Sequence, residues 1–406
     1  MTRIYTNLTF KWILTLLFSG VMASSSLSAT EISEPSSTTG CIDEFSPVSN
    51  PGFETVLAEL HLEESSAGKL YIATELVHRY AEMSFLCEAV YLHQLAKSHL
   101  EDDIDPDDFN YLLTFLVLSE EAIDYLEEAW EFILLHEEAP TWVIEPVLLS
   151  WAEAGNASAL HKASSTAPTV YGQDLANALI TLVQAQNGDS VALNELLTEV
   201  QLGIQPGALE EEAARVTMGL AIAMARDGRT EQSLHLLNLI LDSAAENPFS
   251  HPSETIYFEA LNALSKSGRP EVALARLSTV MHHGFFAQSA LSTILIDYAM
   301  AGRVTEAWGM LSLLKEPTDH ARSAGYILME ANSEIDMGAA TDLYQKFTSN
   351  ENPLSFFYGS SLVGFKARTG DMEGARQLVS EMPYHEARHA FLLAELDIQS
   401  RLESTQ

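Results

Sequence analysis

Ala225-Arg226-Asp227-Gly228-Arg229, Ser265-Lys266-Ser267-Gly268-Arg269, Met300-Ala301-Gly302-Arg303 and Ala367-Arg368-Thr369-Gly370-Asp371 are four stretches of one design. Each closes one apolar, helix-periodic segment and opens the next. Glycine adopts at no steric cost the left-handed conformation that ends a helix. Five residues after each glycine stands a small residue, Ser233, Ala273, Ala307 or Ala375, which lets a second helix pack closely against the first. Leu or Val follows on the same face, as in Leu234/Leu237 and Leu378/Val379, at the spacing of an apolar helical stripe. Each stretch is therefore expected to be the turn of one helical hairpin.

The same template applies upstream at Ser84 with Ala89 and Asp124 with Ala129, and slightly shortened at Gly155 with Ala159 and Gly188 with Ala192. Ile335 with Ala340 fills the remaining gap. The nine turn positions Ser84, Asp124, Gly155, Gly188, Gly228, Gly268, Gly302, Ile335 and Gly370 recur every 31 to 40 residues. Such a period marks a repeat protein, in which each unit covers the apolar face of its neighbour. No run alternates Val, Ile and Thr between tight turns as strands do. The expected fold is all-α, with about nine hairpins.

This pattern resembles the tetratricopeptide repeat (TPR), whose period is about 34 residues. The run Tyr80-Ala81-Glu82-Met83-Ser84-Phe85-Leu86-Cys87-Glu88-Ala89, followed by Ala96, matches that family's aromatic, turn and two alanine positions. The resemblance covers roughly residues 67 to 383. It departs from the family at Ser84, Asp124 and Ile335, where the turn glycine is missing, and in lacking most of the prolines that end each unit. It implies a right-handed α-solenoid in which Tyr384 to Leu402 forms a polar-faced C-terminal capping helix. It also implies that Arg226, Lys266 and Arg368 line a concave groove with Tyr71, His78, Glu82, Phe258, Asn262 and Phe357, where a protein or peptide binds. A basic ladder of that kind suits the carboxylates of an acidic or C-terminal peptide. The same cations also suit the negative ends of helix dipoles, each contributing about 0.3–1 kcal/mol. The related pentatricopeptide repeat reads single-stranded RNA, a partner that an acidic chain disfavours.

Residues 1–29 read as a signal peptide. Arg3 and Lys11 precede the apolar run from Trp12 to Phe18, and small residues follow, with cleavage expected after Ala23 or Ala29. Residues 30–50 are rich in Ser, Thr and Pro and form a tether, and 51–406 form the repeat domain, opening with a short helix from Phe53 to Glu63. No second apolar run has the length of a membrane span. The expected location is therefore periplasmic or secreted. An oxidising compartment permits one disulfide between Cys41 and Cys87, the alternative being two free thiols. The formal net charge is -36, and residues 51–150 hold 22 Asp/Glu against three Lys/Arg. Nucleic acid, which needs a cationic surface, is excluded as a partner class. The acidity fits either a cationic neighbour or a saline habitat.

One catalytic motif occurs. His385-Glu386-Ala387-Arg388-His389 is HExxH, which on a helix places two imidazoles on one face to hold zinc, with Glu386 as general base. Against a zinc peptidase stand Glu395 where a third histidine belongs, Leu392 in place of the glycine that would deliver it, and the charge of Arg388 between the ligands. Asp103-Ile104-Asp105-Pro106-Asp107-Asp108 begins like a calcium loop, but Asp108 takes the required glycine position and Thr114 the bidentate glutamate position. It reads better as a helix start with Asp105 as N-cap. His282-His283 reads as a solvent-facing pair. No phosphate-binding loop, dinucleotide fingerprint or nucleophile elbow is present, and no cofactor is implied. The functional expectation is an exported protein-binding scaffold, with a structural subunit of an envelope or secretion complex as its rival. The sequence sets no oligomeric state.

Overall fold

A computed structural model describes residues 50–99, 115, 118 and 124–405, apart from 64–65, 136–138, 140, 205–209, 246–250, 279–284, 332, 350–353 and 383–385. Among the described residues the regular structure is helical throughout, without strands. The helices are α1 (Pro51–Leu62), α2 (Ser66–Glu82), α3 (Leu86–Lys97), α4 (Asp124–Leu134), α5 (Thr141–Glu153), α6 (Ala157–Thr166) and α7 (Val170–Gln186). They continue with α8 (Val191–Gly203), α9 (Glu211–Arg226), α10 (Thr230–Ala245), α11 (His251–Lys266), α12 (Pro270–Ser278) and α13 (Phe285–Met300). The last six are α14 (Val304–Met310), α15 (Pro317–Glu330), α16 (Met337–Ser349), α17 (Ser355–Arg368), α18 (Met372–Glu381) and α19 (Glu386–Thr405).

The turn template holds at seven of its nine positions. Gly155, Gly188, Gly228, Gly268, Gly302 and Gly370 all have positive φ, and Ser84 has φ 62° in the same left-handed region. The carbonyls freed at these helix ends are met by the backbone: Arg229 N donates to Met224 O at 2.8 Å and Asp371 N to Lys366 O at 2.8 Å, the six-to-one bond of a left-handed helix stop. Phe85 N makes the equivalent bond to Tyr80 O at 2.9 Å, so the serine turn is built like the glycine ones. Of the nine small residues Ala89, Ala129, Ser233, Ala273, Ala307, Ala340 and Ala375 are fully buried, whereas Ala159 is 9% exposed and Ala192 is half-buried.

Two positions differ. Asp124 is helical, the first described residue of α4. Ile335 lies in the connection between α15 and α16, where none of the described residues is left-handed. It is 6% exposed, an apolar side chain turned into the core rather than a helix stop. At Ile335 a β-branched residue, which tolerates φ > 0 poorly, stands where the period calls for glycine.

The chain divides into two compact units. One comprises residues 128–301, and the other combines residues 1–127 with 302–406. In the first, helices α5, α7, α9, α11 and α13 pack successively side by side, and the second helix of each hairpin packs against them. The core includes Trp130 against Trp151 at 5.3 Å between ring centroids, with Leu236, Leu237, Ile240 and Leu241 deep in it.

In the other unit α15, α17, α19 and α2 are the successive neighbours, so the last helix of the chain is followed in space by a helix near its start. Helix α1 lies along α19 as extensively as the two helices of a contiguous hairpin lie along each other. The polar-faced cap expected at Tyr384–Leu402 is thus corrected. Helix α19 is packed between α17 and α2 and buries Ala390, Leu392, Ala394, Glu395, Asp397 and Ile398. Glu395 and Asp397 are paired with Arg79 and Tyr80 of α2 instead of facing water.

Candidate binding surface

In the unit of residues 128–301 the first helices carry a polar face. Glu153, Gln186, Arg226 and Lys266 are the last residues of α5, α7, α9 and α11, each two positions before its turn glycine. Neighbouring helices are tied along this face. Tyr171 OH donates to Glu145, Arg215 holds Glu259 through two bonds of 3.0 and 3.1 Å, and Gln186 Nε2 donates to Asp227 Oδ1 at 3.1 Å. Arg226 Nη1 lies 3.5 Å from Glu153 Oε2. Burial pushes the Arg226 guanidinium below its ordinary range, and Glu153 and Glu145 oppose that shift.

Ser265 on α11 faces the Asp297 carboxyl on α13. Asn262 Oδ1, Ser265 Oγ and Asp297 Oδ2 are buried without a well-formed hydrogen bond. Asp297 is 7% exposed, and burial pushes its carboxyl up to about 7, with Ser265 and Lys266 favouring the charged form too weakly to offset it. Phe258 packs edge-on against Tyr257 on the same helix, while Asn262 and Lys266 keep partial access to solvent. Reading for repeats does not single out Asp297. The signal that finds it is one carboxylate inside Ile294-Leu295-Ile296-Asp297-Tyr298-Ala299, the middle of an otherwise apolar helix.

The remaining expected groove residues belong to the other unit. Arg368 Nη2 donates to the carbonyls of Leu328, Met329 and Ala331 at 2.6, 3.0 and 3.2 Å, closing the C-terminal end of α15. Burial first, then the like charge of Arg79, lowers Arg368 to about 10. Phe357 stacks tilted on Tyr326 with centroids 5.1 Å apart. Gly325 admits this ring, because a Cβ there would stand 2.5 Å from Phe357 Cε1. Burial lowers His78 to about 4, which keeps it neutral at physiological pH. The side chains of Tyr71 and Glu82 lie outside the described residues. The groove set therefore falls into two groups, Arg226, Phe258, Asn262 and Lys266 in one unit and His78, Phe357 and Arg368 in the other.

Of the HExxH motif, His385 and the side chain of Glu386 lie outside the described residues. His389 Nδ1 is 3.2 Å from Glu59 Oε1. Glu395, at the third-ligand position, is held by Arg79 in a buried two-point ion pair. Among the described residues no group of three or more His, Cys, Asp or Glu is placed to hold a metal ion. Residues 103–108, 282–283 and the signal and tether segments are outside the described residues, as is Cys41, whereas Cys87 is disulfide-bonded. No described helix is long and apolar enough to cross a membrane. No protein-family model matches the chain, and no curated protein matches it.

Proposed function

We propose that this protein is an exported scaffold of tetratricopeptide-like hairpins, a right-handed solenoid that binds a protein or peptide on the polar first-helix face of residues 128–301. The observation that carries this reading is a cluster of polar atoms on that face: at α11 and α13 Asn262, Ser265 and Asp297 hold buried oxygen atoms without well-formed bonds, beside the partly exposed Lys266, and Arg226 Nη1 on α9 is likewise buried without one. Buried polar atoms without well-formed hydrogen bonds are rare in folded proteins, and a peptide backbone carries donors from which such oxygens can accept. Lys266 adds a charge for a ligand carboxylate. The N-terminal sequence supports export, and the disulfide at Cys87 accords with an oxidising compartment. A zinc peptidase built on His385, Glu386 and His389 has less support, because Arg79 engages Glu395.

The test is capture from envelope extracts with the full chain, followed by the double variant Asn262→Ala/Lys266→Ala. The variant should keep the helical circular dichroism of the wild type and lose at least tenfold in affinity for the captured partner. Equal affinity would refute the assignment of this face. A stable stoichiometric complex indifferent to the double variant would favour the structural-subunit reading instead.

A further inference from the structure

The second helices of the unit of residues 128–301 are not covered alike. Helices α6, α10 and α12 each pack on the first helix of their own hairpin and on the first helix of the next. Helix α8 packs extensively on α7 alone among the described helices, and it buries only Leu193 and Leu197. Val191, Asn194, Glu195, Thr198, Glu199 and Leu202 recur at three- and four-residue spacing, so they share one face of α8. All six are exposed, and they line an open groove of about 530 Å³. Val191 and Leu202, at the two ends of this face, are 64% and 70% exposed. They stand about three helical turns apart, roughly 16 Å along the axis.

A single exposed apolar side chain is ordinary on a protein surface. Two of them on one face of a helix that lacks the further helix its counterparts have, as α7 lies on α6 and α11 on α10, suit the docking of a helix from elsewhere. Charge narrows the occupant. Between the apolar ends stand Glu195 and Glu199, one turn apart, and neither has an ion-pair partner among the described residues. The chain carries no Lys, Arg or His from Ala163 to Ala214, against seven Asp and Glu. A second copy of α8 would set these carboxylates against their like, and an anionic lipid surface would be repelled by them. A helix with Lys or Arg between apolar residues complements both the charge and the apolar ends.

We propose that this face of α8 docks a cationic amphipathic helix of a partner protein, with apolar side chains seated against Val191 and Leu202 and with Lys or Arg opposite Glu195 and Glu199. The face shares no residue with the surface at Asn262, Ser265, Lys266 and Asp297, so the two are tested one at a time. Exposed charge pairs are weak and screened by salt, and the docking is accordingly salt-sensitive.

The probe is a fluorescent amphipathic peptide of Leu, Ala and Lys, about five helical turns long, and its binding to the full, disulfide-intact chain is read by anisotropy at low salt. Val191→Ser/Leu202→Ser should weaken binding at least tenfold. Glu195→Gln/Glu199→Gln should weaken it at least threefold and reduce its dependence on salt, and both variants should keep the circular dichroism of the wild type. Asn262→Ala/Lys266→Ala should bind the peptide as the wild type does. A cationic peptide is drawn to any acidic protein, so equal binding by the wild type and by Val191→Ser/Leu202→Ser would overturn the proposal and leave general charge attraction. Self-association of the wild type in sedimentation that Val191→Ser/Leu202→Ser abolishes would overturn it in favour of a second copy. Adsorption to phosphatidylcholine vesicles that the same variant abolishes would overturn it in favour of a lipid surface.

Discussion

Asp297→Asn isolates the most perturbed carboxyl on the binding face. The folded acid titrates at about 7 against an ordinary value of 3.8, because it sits in the apolar interior of α13. As pH rises from 3.8, the unfolded chain releases this proton while the folded one keeps it. Folding therefore becomes less favourable until about pH 7, beyond which both states are ionised and the cost stays constant. Each unit of separation is 1.36 kcal/mol, so about three units give a cost on the order of 4 kcal/mol above pH 7 and none below 3.8. Asparagine has the shape of the carboxylic acid but does not ionise. Urea unfolding followed by circular dichroism from pH 3.5 to pH 8 should show the variant matching wild type at the acid end and gaining steadily on it through the window. The advantage should level off above pH 7. All other carboxylates titrate alike in the two proteins, so the difference reports this one group. An identical pH dependence in variant and wild type would refute the argument.

Ser84→Gly should stabilise the protein by about 1 kcal/mol in the same unfolding assay, since it relieves a side chain held at φ 62°; a loss of stability would show that the serine side chain matters more than its backbone. Arg368→Ala should cost about 1–3 kcal/mol by stripping three carbonyls of their donor, and Arg368→Lys, which has one ammonium for the three, should recover only part of it. Protein isolated from its native compartment, denatured without reductant and treated with maleimide, should remain unlabelled, given the disulfide at Cys87; labelling of both cysteines would contradict it.

The helical hairpins were legible because their decisive residues act through the backbone. A glycine that ends a helix and a small residue five positions later need no knowledge of distant sequence, and at Gly228/Ser233, Gly268/Ala273, Gly302/Ala307 and Gly370/Ala375 the local chemistry alone sets the hairpin. Ser84 was legible by period, although its residue type argued against it. Ile335 shows the limit of that reasoning, because a period places a turn without fixing its conformation, and a β-branched residue found burial instead of a left-handed turn.

What stayed hidden depended on pairs distant in sequence. Glu395, Asp397 and Arg401 give α19 the composition of a solvent-facing cap, and no local pattern distinguishes a charge that meets water from one that meets Arg79, Tyr80 or Glu88 some 300 residues away. The turn-linked cations show the same ambiguity in another form. Arg226 and Arg368 occupy equivalent positions two residues before a turn glycine, yet one faces the carboxylates of Glu153 and Glu145 and the other closes the end of α15. Lys266 occupies that position too, beside Asp297. Position in the repeat determines where a side chain emerges, and the neighbouring repeats determine what it meets. Ligand recognition on such a face is accordingly expected where the neighbours leave buried polar atoms without well-formed bonds, as at Asn262, Ser265 and Asp297.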